Sequence, residues 1–152
     1  MPASTVPFTS ADSLLSISAA TPATFDAAGY AALTFTEIGF LDNIGEFGAE
    51  RALVTFNPID DINTLKYKGS RNNGSMSLTG AYVPGDAGQI LLIAAEAADG
   101  DYSFCEELQD GTKVYFQGKV MSYKTSVGSV DDMTGISSTV EISGAIVIVY
   151  PT

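Results

Sequence analysis

The side chains best suited to catalysis are scarce in this sequence, and those present are badly placed. There is no histidine among its 152 residues, which removes the usual general base and the usual transition-metal ligand together. The single cysteine, Cys105, follows Phe104 in a strand-like stretch and lies on its Ser103 and Glu107 side. Without an imidazole to activate it, Cys105 reads as a small strand residue and not as a nucleophile. Asp60-Asp61, Glu106-Glu107 and Asp131-Asp132 sit in or beside loops. Neighbours in a strand point to opposite faces, so Glu106 and Glu107 are poorly arranged as an acid–base pair. Solvated loop charge accounts for these pairs better. Asp99-Gly-Asp101 resembles the start of a calcium loop but lacks the later oxygen ligands and the closing glutamate. Lys113 follows no GxxxxGK spacing, and Gly128 and Gly135 bracket none. The residues predict no catalytic group, no metal site and no cofactor.

Charge narrows the partners. Eighteen acidic residues against seven basic ones give a net charge of −11, which disfavours specific nucleic-acid binding. Residues 1–50 carry Asp12, Asp26, Glu37, Asp42, Glu46 and Glu50 with no base, and residues 96–110 are acidic without a base as well. Six bases fall in two short segments, Lys66, Lys68 and Arg71, then Lys113, Lys119 and Lys124. Either the acids form a solvated surface, or acidic and basic patches meet across a subunit contact and set its register. For the latter the candidate residues are Lys66, Lys68 and Arg71 with Glu37, Asp42 and Glu46.

Length and composition fit one domain with a sizeable core: 45% of residues are hydrophobic and 16% charged, with eight Phe and seven Tyr. A single cysteine excludes an intrachain disulfide. No apolar run is long enough to cross a bilayer, and the N-terminus has no basic region of the signal-peptide kind. The expectation is a chain made in the cytoplasm and held there until it is incorporated into something.

The elements that would position these groups are mostly strands. Residues 1–12 are rich in Pro, Ser and Thr and read as a flexible arm ahead of a single domain over 13–152. Ser13–Ala19 alternates weakly, as a short strand would. Thr24-Phe-Asp-Ala-Ala-Gly-Tyr supplies an N-cap candidate for a helical turn over about 26–32. Leu33–Gly48 reads as short extended pieces joined by bends at its glycines. Arg51–Asn57 is a strand candidate. Leu65–Gly69 and Ser75–Tyr82 are strands separated by Asn72-Asn73-Gly74, a strong turn signal. The stretch Asn57–Asn73, like the arm, is expected to be poorly ordered in a free subunit. One confident helix spans about 86–98, opened by Asp86 with Gln89 three residues on, as in a capping box. Its Ile90, Ile93, Ala94 and Ala97 are expected to lie on a sheet. Tyr102–Leu108 and Lys113–Val127 flank Asp110-Gly111 as a hairpin, and Ser137–Tyr150 is a long final strand.

Two of these strands are two-faced. Met76, Leu78 and Tyr82 alternate with Ser75, Ser77 and Thr79; Val140, Ile142, Ile146 and Ile148 alternate with Ser137, Thr139, Glu141 and Ser143. Long strands of this kind leave edges in a small domain, which points to pairing with other copies.

The segment from Gly69–Gly74 into MSLTGAYVPGDAGQ, followed by YSFCEELQDGTKVYFQGKVMSY, TSVGSVDDMTG and STVEISG, resembles the major tail tube proteins of long-tailed, lambda-like phages. TFDAAGYAALTFTEIGFLDNIGEFG and VTFNP extend the resemblance, which covers roughly residues 22–148. It implies a mainly β fold, a sandwich- or barrel-like tail tube domain flanked by one helix. It implies hexameric rings stacked into a hollow tube in the virion tail, built in the host cytoplasm. Tape-measure and tail terminator or tip proteins are the implied partners, and DNA passes through the lumen without specific binding. The short form, without an appended immunoglobulin-like domain, fits the chain's end at Thr152. A lumen of hydroxyls and carboxylates suits DNA passage better than one of lysines, so Ser75, Ser77, Thr79, Thr139, Glu141 and Ser143 are the expected lumen-facing residues. A gene transfer agent or contractile injection system would use a related subunit. A monomeric β-sandwich binding module and a small carboxylate enzyme are the rival readings, and both predict a small, well-behaved species in solution.

Overall fold

The computed structural model describes residues 2–152; Met1, the first residue of the expected arm, lies outside the described residues. Among them the chain order is β1 (Leu14–Ser18), α1 (Ala27–Ala31), β2 (Thr36–Glu37), β3 (Leu41–Asn43), β4 (Glu50–Phe56), β5 (Leu65–Asn72), β6 (Ser75–Ala81), α2 (Ala87–Ala97), β7 (Tyr102–Glu107), β8 (Lys113–Ser126) and β9 (Gly135–Val149). Seven strands form one antiparallel sheet in the order β2-β1-β7-β8-β9-β6-β3, and β4 with β5 makes a separate two-stranded ribbon. The mainly β expectation holds. The large sheet curls into a half-barrel around its own core, with α2 packed inside the curl.

Side-chain alternation decides which face is filled. Leu15 and Ile17 of β1, Phe104 of β7, Val114, Phe116 and Val120 of β8, Val140 and Ile142 of β9, and Met76 and Leu78 of β6 form one buried cluster with Leu92 and Ala95 of α2. Phe104 and Phe116 stack at 5.3 Å between ring centres, opposite each other across the β7–β8 ladder. On the other side of the sheet, α1 lays Tyr30 over Cys105 and Tyr115, the two tyrosine rings stacked at 5.3 Å. That second small core spans β7 and β8, with Val147 and Val149 of β9 packed against it.

The helix is where the expected pattern is wrong. Ile90, Ile93, Ala94 and Ala97 face away from the sheet, with Ile90 52% and Ile93 45% exposed, while Gly88, Gln89, Leu92 and Ala95 are buried. The run Ile90-Leu-Leu-Ile93 offers apolar residues on every side, so the periodicity alone does not set the phase. A close backbone approach does. A Cβ on Gly88 would lie 2.2 Å from the Glu37 carbonyl oxygen, so only glycine lets this turn sit against residues 37–38.

The capping box is half formed, and its glutamine has another task. Asp86 Oδ2 accepts from the Gln89 backbone N–H at 3.0 Å and from the Gly39 N–H at 3.1 Å. Gln89 Oε1 accepts from the Val83 N–H at 3.0 Å, while Nε2 donates to the Ala81 carbonyl at 2.9 Å and the Gly39 carbonyl at 3.2 Å. The Pro-Gly-Asp-Ala-Gly-Gln junction is therefore a clamp joining β6, α2 and the segment between β2 and β3. At α1 the cap is Asp26, whose Oδ1 accepts from the Gly29 N–H at 2.8 Å and from the Thr24 hydroxyl at 2.8 Å.

The turn at 72–74 is real, with Gly74 at φ +87°, but the strands it separates do not pair with each other. β5 pairs with β4, and β6 pairs with β9 and β3. The turn is thus where the chain passes from the ribbon into the half-barrel. Within the stretch 57–73, Leu65–Asn72 forms β5, longer than the strand expected over Leu65–Gly69. In the arm, the Ser4 N–H donates to Asp110 Oδ2 at 3.3 Å, which lays it beside the β7–β8 turn.

Candidate assembly interface

The six residues expected on one face do share it. Ser75 pairs with Glu141, Ser77 with Thr139 and Thr79 with Ser137 along the β6–β9 ladder. Their alternates Met76, Leu78 and Val140 are at most 1% exposed, so the hydroxyls stand outside the core. Ser143 continues the face toward Gly144, a left-handed glycine (φ +81°) within β9 beside the point where the register with β8 shifts. Thr79 Oγ1 donates to Asp42 Oδ1 at 2.5 Å, which adds Asp42 of edge strand β3 to the same surface.

Two lysines on this face escaped the sequence reading. Lys119 of β8 pairs across with Glu141, and Lys124, beyond a bulge, pairs with Ser137. A bulge displaces the register by one residue, and alternation within one strand does not reveal which strand lies alongside. Lys119 is ion-paired with Asp101. The surface still holds more acid than base, with Asp42, Asp101 and Glu141 against Lys119 and Lys124.

The ribbon forms a second surface. β4 and β5 make their substantial packing with each other. Lys66 and Lys68 stand opposite Thr55 and Leu53 on one side; Tyr67 and Leu65 stand opposite Val54 and Phe56 on the other. Leu53, Val54, Phe56, Leu65 and Tyr67 are all exposed, and Ile59 and Ile62 at the tip are fully so. At the root, Arg51 pairs directly with Arg71, a juxtaposition of like charges that is unfavourable without an anion nearby. Of the residues expected in charge contacts between subunits, Lys66, Lys68 and Arg71 lie on the ribbon, whereas Glu37, Asp42 and Glu46 lie on the segment around β2 and β3. Among the described residues the ion pair is Lys119–Asp101.

Burial pushes the Cys105 thiol up to about 11, so it stays protonated and unreactive at neutral pH. Glu106 and Glu107 point to opposite sides, with Glu106 buried beside Leu15 and Val114. Among the described residues no group of three or more His, Cys, Asp or Glu side chains is arranged to hold a metal.

Residues 25–148 match the family model described as lambda phage tail tube protein, TTP. The chain belongs to the lambda phage tail tube protein family. It is a structural subunit of a phage tail tube. No curated protein matches the sequence. In fold, this tail tube protein is similar to a chain of the anti-feeding prophage baseplate, with a TM-score of 0.70 at 8% identity over 96% of this chain and 97% of that one. It is also similar to a chain of the native gene transfer agent virion (0.66, 14% identity, 94% and 99%). The SPP1 tail tube gives 0.64 at 16% identity, covering 95% of this chain and 80% of that one. The fold thus recurs at identities of 8–16%, so the tail tube fold tolerates nearly complete replacement of side chains.

Proposed function

We propose that six copies close into a ring, and that rings stack into a hollow tube through which DNA passes. The observation that carries this reading is the β4–β5 ribbon. It projects roughly 20 Å, taking about 3.3 Å per residue, and presents aromatic and aliphatic side chains to solvent on one side and lysines on the other. A monomer gains nothing from such an arm, and exposed apolar surface of this kind marks a protein contact. Its partner is the neighbouring subunit, and Lys66, Lys68 and Arg71 of one copy meet Glu37, Asp42 and Glu46 of the next.

The face of Ser75, Ser77, Thr79, Thr139, Glu141 and Ser143 lines the channel in this reading. Hydroxyls hydrate the wall, and the excess of carboxylate repels phosphate, so DNA slides without binding. Lys119 is neutralised by Asp101, which limits its pull on the backbone. Tail terminator and tip proteins cap the two ends, a tape-measure protein occupies the lumen before DNA does, and assembly takes place in the host cytoplasm. The likeness to gene transfer agent and injection-system chains supports the same architecture for tubes of those kinds.

Negative-stain microscopy and size-exclusion chromatography of concentrated protein test the proposal together. Rings or tubes are expected; a sharp monomer peak at high concentration, unchanged by salt or crowding agent, speaks for the binding-module alternative instead.

A further inference from the structure

One cavity has no role in the fold. Between edge strand β3 and the end of β7, a space of about 320 Å³ is bounded by Ser10 and Ser13, by residues 41–45, and by Glu106 and Leu108. Glu106 enters it from β7. Its cross-strand neighbours are Leu15 and Val114, each 1% exposed, and Glu106 itself is 5% exposed. No described residue donates a hydrogen bond to Glu106 Oε2, and Ser13 Oγ, on the same cavity, is also buried and unpartnered. Asp42 also borders it, with its carboxylate accepting from Thr79 at the rim. A desolvated carboxylate without a donor is unfavourable, and a positive charge brought to it relieves that. The arrangement asks for a cation.

We propose that this cavity receives the ammonium group of Lys66 or Lys68 from the ribbon of a neighbouring copy, which pairs with Glu106. The inference rests on the tube reading and adds a specific socket to it. Both lysines stand on one side of the ribbon, and neither is ion-paired among the described residues of its own chain. Lysine suits the space better than arginine does. Leu41, Ile44 and Leu108 line it and can pack the four methylenes, while a compact head reaches Glu106, Asp42 and the Ser13 hydroxyl. The ribbon's length brings its lysines well beyond the body of their own subunit.

The test compares wild type, Glu106→Gln, Glu106→Lys and the reversals Lys66→Glu and Lys68→Glu, each first confirmed as folded by circular dichroism. Glu106→Gln keeps the shape of the side chain, removes its charge and is expected to fold. It is expected to raise the concentration needed for tubes by about tenfold or more, the scale for stripping one partner from a desolvated charge pair. Glu106→Lys is expected to abolish tubes, and one of the two reversals added to it to restore them. If Glu106→Gln polymerises at the wild-type concentration, the socket is overturned while the tube reading stands. If wild type itself forms no rings or tubes, both fall. A metal ion is the other possible occupant. Calcium or magnesium that raises the melting temperature of the free subunit, with no rise in Glu106→Gln, overturns the lysine assignment.

Discussion

Ser75 stands directly opposite Glu141 across the β6–β9 ladder, with both side chains on the solvent side of the sheet. Their sequence neighbours Met76 and Val140 pair in the same ladder and are fully buried. A slip of one residue would bury a carboxylate and expose two apolar side chains, so the register is strongly fixed. Glu141→Lys leaves that register intact because the position is exposed. The expected outcome is a variant that melts within a degree or two of wild type and builds tubes, but delivers DNA poorly. Single-particle counts of filled and emptied virions check it; normal delivery contradicts a channel role for this face.

Gln89 holds the junction of β6, α2 and residue 39 together. Gln89→Leu leaves the Val83 N–H and the Ala81 and Gly39 carbonyls without this partner. Unsatisfied buried groups of this kind cost about 1–3 kcal/mol each, so the three together cost about 3 kcal/mol at the low end of that range. In a domain of this size that lowers the melting temperature by roughly 5–15 °C. Urea unfolding of the free subunit measures it, and a midpoint equal to wild type would show that the clamp is dispensable.

The ribbon makes a contrasting prediction. Val54, Phe56 and Tyr67 are exposed, so replacing all three with serine is expected to change the stability of the free subunit by less than about 1 kcal/mol. Polymerisation is expected to fail. Thermal melts read against sedimentation separate the two effects, and intact assembly in the triple variant argues that the arm does not dock.

Glu106 gives the free subunit a pH dependence of definite sign. Burial pushes its carboxyl up from 4.5 to about 7. The folded chain therefore keeps this proton where the unfolded chain has released it. The associated stability is fully present below about pH 4.5 and is lost as the pH rises through about 7. Facing Glu106, β1 and β8 offer Leu15 and Val114, residues 10–13 offer serines, and residues 41–45 bring Asp42 to the same cavity; desolvation is the cause of the rise. Asp26, Asp110 and Asp132, held low by hydrogen bonds, give the opposite slope in the acid range. Denaturant titrations from pH 5 to 8 are expected to show wild type losing stability while Glu106→Gln stays nearly flat. Parallel curves for the two proteins would contradict the burial of this group.

What could be read in the sequence was whatever depends on alternation and capping. Ser75–Thr79 and Thr139–Ser143 announced their two faces because strand period is fixed by covalent geometry. Asp86 announced a helix start because short acceptors satisfy free N–H groups. The phase of α2 was not legible, since four consecutive aliphatics fit any face and the deciding contact is between Gly88 and backbone at 37–38, far away in sequence. The pairing of β5 with β4 was hidden because the Asn73-Gly74 turn is as good an exit from a ribbon as it is a hairpin. Lys119 and Lys124 joined the hydroxyl face only through cross-strand register. Glu106 looked like loop charge beside Glu107, and its burial depends on β1 and β8 flanking it with Leu15 and Val114, which only the strand order reveals.

A helical reconstruction of the assembled tube at a resolution that traces side chains tests the central claim most directly. The expected result is a sixfold ring with Ser75, Ser77, Thr79, Thr139, Glu141 and Ser143 on the channel wall and Met76, Leu78 and Val140 turned into each subunit's core. Glu141 on the outer surface of the tube, or a subunit that never assembles, would contradict it.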